Sequence, residues 1–93
     1  MIVKVLYFAE LKEITGKEEE EFDLSIHNLK NLVDLLINKY HRFNEIIWDE
    51  KLQKLNNNIS IIINTQPIHG ENILTKQLNE EDIIAFLLPI SGG

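Results

Sequence analysis

The run Ile2-Val3-Lys4-Val5-Leu6-Tyr7-Phe8 at one end of the chain and Ile83-Ile84-Ala85-Phe86-Leu87 near the other both read as strands, and both are apolar on two faces. Alternation sends Val3, Val5 and Tyr7 one way and Ile2, Lys4, Leu6 and Phe8 the other. In the second run it separates Ile84 and Phe86 from Ala85 and Leu87. One long stretch has helical periodicity: Ile26, Leu29, Leu32, Val33, Leu36, Ile37 and Tyr40 share a stripe, with Ser25 the expected N-cap and Asn28, Lys30, Asn31, Asp34 and Asn38 on the wet side. A single main helix covers a single face of a sheet. The expectation is therefore that Ile84 and Phe86 face the helix with Val5 and Tyr7, while Leu6, Phe8, Ala85 and Leu87 form an open apolar patch, Phe8 and Leu87 exposed, where a partner docks. The competing arrangement folds residues 41–58 across that patch.

The remaining segments supply a small α+β domain. Ala9 to Thr15 is a short helix closed by Gly16. Glu18 to Glu21 read as a solvated turn leading into an edge strand that ends on Phe22 and Leu24. Between His41 and Asn58 the apolar positions Phe43, Ile46, Ile47, Trp48, Leu52 and Leu55 fit one short helix or two turns, with Trp48 a packing residue. Ile59 to Ile63 is a strand, residues 64–78 hold a short extra strand or a 3₁₀ turn, and Asn79 to Asp82 turn the chain into the last strand, which Pro89 ends.

Composition removes several function classes. A chain of 93 residues, 1–93, is expected to be one domain. Its apolar runs are too short to cross a bilayer and nothing reads as a signal peptide, so a cytoplasmic location is expected. A formal charge of −6 disfavours nucleic acid and anionic membrane and suits a basic protein partner. There is no cysteine, which excludes disulfides, thiolate metal sites and cysteine nucleophiles. His27, His41 and His69 lack metal-ligand spacing, no phosphate loop or nucleophile motif occurs, and neither a metal site nor an independent enzyme is expected.

After Asp82 no charged side chain follows, and the sequence ends Leu88-Pro89-Ile90-Ser91-Gly92-Gly93. Two glycines without Cβ atoms pass through a slot too narrow for other residues, and the Gly93 α-carboxylate is the one charge such a tail presents. The opening Val3-Lys4-Val5-Leu6-Tyr7-Phe8-Ala9, the pattern Leu78 to Asp82 before the last strand and this ending together make the chain resemble the ubiquitin-like β-grasp sulfur carriers, above all the small subunit of molybdopterin synthase. Two positions depart from that pattern: Leu88-Pro89 stands where the family has two prolines, and Glu81 where it has a glycine.

The resemblance implies a mixed sheet of four to five strands packed on one main helix, with 88–93 as an extended tail. It implies that an E1-like enzyme uses ATP to adenylate Gly93, and that a sulfur donor protein converts the adenylate to a thiocarboxylate. That sulfur would be delivered to a cyclic pyranopterin inside the large synthase subunit, within a heterotetramer, to build the dithiolene of the molybdenum cofactor. Gly92, Ser91, Ile90, Pro89 and Leu88 would guide the tail, Phe8, Leu6, Ala85 and Leu87 would dock the partner, and no cofactor would be bound by the carrier itself. The alternatives are a carrier of the same fold serving thiazole synthesis, tRNA thiolation or protein conjugation, and a β-grasp interaction module with an inert tail.

Overall fold

The computed structural model describes residues 1–70 and 72–88. Strands β1 (Ile2–Leu6), β2 (Glu19–Asp23), β5 (Ser60–Ile63), β6 (Gln66–Ile68) and β7 (Ile83–Leu87) form one sheet in the order β2-β1-β7-β5-β6. β1 and β7 run parallel at the centre, Val5 opposite Ile84, and the other pairs are antiparallel. Strands apolar on both faces thus occupy the middle, and the strands carrying Glu19, Glu21 and Pro67 form the edges, where a charge or a missing N–H opposes unwanted pairing. This is the mixed five-stranded β-grasp arrangement.

Helix α2 (Leu29–Lys39) lies on one face, burying Leu29, Leu32, Val33 and Leu36. These meet Val3, Val5, Tyr7, Ile61, Ile63, Ile84 and Phe86 in one continuous core. Its start differs from the expected one. Asn28, not Ser25, is the N-cap, its Oδ1 accepting from the Asn31 N–H at 2.9 Å, and Ile26 lies outside the helix, 60% exposed. The cap is decided by tertiary pairing: Leu29 N–H donates to the Lys76 carbonyl and Leu78 N–H to that of His27, fixing Asn28 in extended backbone opposite Gln77, in the segment before β7. Asn28→Ala should cost about 1 kcal/mol in urea unfolding, whereas Ser25→Ala should be neutral.

Helix α1 (Ala9–Thr15) ends as expected at left-handed Gly16, φ 72°. Residues 41–58 form a single-turn helix, α3 (Phe43–Ile46), and a hairpin of two short strands, β3 (Trp48–Asp49) and β4 (Lys54–Leu55). Phe43, Ile47, Trp48 and Leu55 join the core on the α2 side, so this segment extends the helical layer, and among the described residues the other sheet face is left uncovered. A 3₁₀ turn, Ile73–Thr75, precedes the last strand. Glu81 has φ 68°, the left-handed conformation that favours glycine.

Candidate docking face

The uncovered face is shaped by register. Leu6 of β1, Ala85 of β7 and Ile62 of β5 stand side by side across three strands. Ala85 is 7% exposed, so the expectation that it offers surface to a partner is corrected: a lone methyl between two larger neighbours lies below them. It becomes the floor of a hollow of about 370 Å³ whose walls are Leu6, Ile62, Ile83, Leu87 and Phe8, with Asn64 and Thr65 at one end. Phe8 is 48% exposed, as expected, while Leu6 and Leu87 are half-buried rather than open. Leu87 loses exposure because it sits inside the sheet opposite Ser60, whereas Phe8 lies just past the end of β1. Ile62 and Ile83 belong to the face and follow from the alternation of their strands once the strand order is known.

The end of the hollow is held by a polar knot. Asn64 and Thr65, φ 50° and 71°, make the two-residue turn from β5 to β6, the geometry of a type I′ hairpin. The Asn64 side chain donates to Asp82 Oδ1 at 2.8 Å and accepts from the Ile83 N–H at 2.9 Å. Buried Asp82 also accepts from the Asn79 N–H at 2.7 Å. Together these bonds set where β7 begins, and β7 is the strand that leads to the tail.

A second polar cluster was not legible in the glutamate run. Residues 19–23 form strand β2 rather than part of a solvated turn, and pairing of Glu20 with Val5 points its carboxylate to the helix side. Its side chain is 8% exposed and accepts from Tyr7 Oη at 2.8 Å, Tyr40 Oη at 2.7 Å and Lys17 Nζ at 3.0 Å, and from Lys39 Nζ. Burial works against ionisation, but the hydrogen bonds from Lys39, Tyr40, Lys17 and Tyr7 outweigh it and hold the carboxyl at about 2. Burial first, and the Glu20 carboxylate second, push the Tyr7 and Tyr40 hydroxyls upward from 10.0. Phe43 packs against both tyrosine rings, with centroids 6.1 and 5.3 Å away. Tyr7 immediately precedes Phe8, so the network anchors the base of the exposed aromatic.

Leu88, the first residue of the expected tail, is half-buried and packs against the core cluster, so its side chain belongs to the domain. Pro89, Ile90, Ser91, Gly92 and Gly93 lie outside the described residues. Among the described residues no group of three or more His, Asp or Glu is gathered as a metal site, and no helix is long and apolar enough to cross a membrane.

Comparison with known proteins places this geometry. The model of the ThiS family matches residues 5–93. The chain belongs to the ThiS family. Like other ThiS-family proteins it is a small ubiquitin-fold sulfur carrier. Among solved structures it is similar to small archaeal modifier protein 1 from Methanosarcina acetivorans, at 34% identity and a TM-score of 0.81 over 99% of this chain and 96% of that one. It shares its fold with small archaeal modifier protein 1 from Haloferax volcanii, at 19% identity and a TM-score of 0.85 over 100% of both chains. A third similar structure, described as molybdopterin converting factor, subunit 1, from Pyrococcus furiosus, has 22% identity and a TM-score of 0.74 over 96% and 98%. The ThiS-family fold thus brings its first and last strands together under one open apolar face.

Proposed function

We propose that this ThiS-family chain is the sulfur-carrying subunit of a molybdopterin synthase. Gly93 is the reacting residue. A carboxylate oxygen of Gly93 attacks the α-phosphate of ATP on the E1-like enzyme, releasing pyrophosphate. The terminal persulfide sulfur of a donor protein then displaces AMP to form an acyl disulfide, and a second thiol attacks the donor-side sulfur, forming a disulfide there and releasing the terminal thiocarboxylate. In the large synthase subunit that anionic sulfur attacks a side-chain carbon of the cyclic pyranopterin and displaces the oxygen bound there, water hydrolyses the resulting thioester to restore the Gly93 carboxylate, and a second delivery completes the dithiolene. Catalytic acids and bases belong to the large subunit. The observation that carries this reading is the apolar hollow built on β7, directly before the tail sequence Pro89-Ile90-Ser91-Gly92-Gly93. Five residues fully extended reach about 17 Å, enough to take a terminal group from the docked face into a partner's interior.

A second reading is supported by the 34% identity to a protein named as a modifier. In it a protein amine, instead of sulfur, attacks the Gly93 acyl adenylate, forming an amide and releasing AMP. Incubation with the activating enzyme, ATP and the sulfur donor, followed by intact-mass measurement, should show replacement of one oxygen by sulfur. The thiocarboxylated chain mixed with the large synthase subunit and the pterin precursor should then yield molybdopterin. Absence of molybdopterin with a competent large subunit, together with conjugates to lysine, would replace the first reading by the second. Phe8→Asp, which puts a charge into the docked contact, should weaken association with the large subunit about 100-fold in a titration by calorimetry, with the melting temperature little changed.

A further inference from the structure

A second hollow adjoins the apolar one, and Ile83 is the ridge between them. Ile2, Lys4, Glu21, Glu80 and Glu81 line it. Its one cation is already matched, because Lys4 Nζ lies 2.9 Å from the carboxylate of Glu19. Asp23 is likewise taken, 3.1 Å from the Met1 ammonium. Glu21, Glu80 and Glu81 have no cation within salt-bridge distance among the described residues. The β1–β2 register sets Glu21 opposite Lys4 and Glu19 opposite Leu6, on the open side of the sheet. The far flank, β5 and β6, carries Ser60, Gln66 and Pro67 and no charge. The open face is therefore apolar in the middle, acidic at one edge and neutral at the other.

Resting on the carrier reading for the partner's identity, we infer that the activating enzyme meets this face with an apolar side chain over Ala85 and with Lys or Arg side chains over Glu21, Glu80 and Glu81. One-sided charge sets the orientation of docking, since a partner turned end for end would place its cations against the neutral β6 edge. Such rim carboxylates act mainly on encounter rate and salt dependence. Strand addition is a poor alternative at either edge, because Pro67 removes a donor from β6 and the β2 edge alternates carboxylates.

The test is equilibrium binding of the full chain to its E1-like adenylating enzyme at 50 and 300 mM salt, with adenylate formation measured separately. Wild-type affinity should fall about 10-fold across that range. Glu21→Gln with Glu81→Gln keeps shape and removes two charges; it should weaken binding about 5-fold at 50 mM and flatten the salt dependence. Glu45→Gln with Glu50→Gln changes net charge equally on the other side of the sheet and should bind like wild type. No binding, wild-type binding indifferent to salt, or equal weakening by the control pair would each overturn the inference. Salt-dependent binding that needs Glu21 and Glu81 but yields no adenylate would uphold it and reject the role of Gly93.

Discussion

Deletion of Gly93 should abolish acquisition of sulfur while leaving the fold intact. The deletion leaves Gly92 as the terminal residue, so a carboxylate is still present, but it is withdrawn by about 3.5 Å, one residue of extended chain. Misplacement of a reacting group by 1 Å can cost about 100-fold, so a rate loss of at least about a thousand-fold is expected. Stability should not move, because a glycine has no side chain to contribute to the core. Intact mass after incubation with the activating system reads the first effect and thermal unfolding the second. A shortened chain that still gains sulfur at the wild-type rate would sink the assignment of Gly93.

Glu20→Ala should be the most damaging single substitution of a charged residue, lowering unfolding free energy at pH 7 by about 3 kcal/mol. Lys17 and Lys39 are about half exposed and regain water, but the buried Tyr7 hydroxyl loses its acceptor. Against a typical total of about 5–15 kcal/mol that is a large share. Glu20→Gln, which keeps an acceptor oxygen and removes the charge, should cost about half as much. The pH dependence separates charge from shape. Because the folded value of about 2 lies below the ordinary 4.5, the ionised carboxylate stabilises the fold at pH above 4.5, by up to about 3 kcal/mol. That contribution is lost as pH falls from 4.5 through 2. The gap between wild type and Glu20→Gln in urea unfolding should accordingly close over the same interval. A gap of constant size from pH 7 to pH 2 would show that the glutamate acts by packing alone.

The sulfur-carrier reading was legible because its signals are local and covalent. Terminal glycines, the charge-free segment after Asp82 and the two-faced runs at both ends need no tertiary information to be recognised. Glu20 escaped because a run of four glutamates carries no internal mark of which one turns inward; that depends on its pairing with Val5 and on Tyr7 and Tyr40 arriving from β1 and the end of α2. Ser25 and Asn28 are equally good caps by residue type, and the antiparallel pairing of Asn28 with Gln77 chose between them. Ala85 was placed on the correct face but at the wrong depth, since depth depends on Leu6 and Ile62 across two ladders rather than on alternation along one strand.

Periodicity is a property of the chain, so four of the five sheet strands, the one covering helix and an apolar face left over by that helix could be read from residue order alone. Strand order, inward glutamate, helix cap and the hollow floored by Ala85 could not, because each arises from side chains distant in sequence competing for the same space, and that competition is resolved only when the sheet closes.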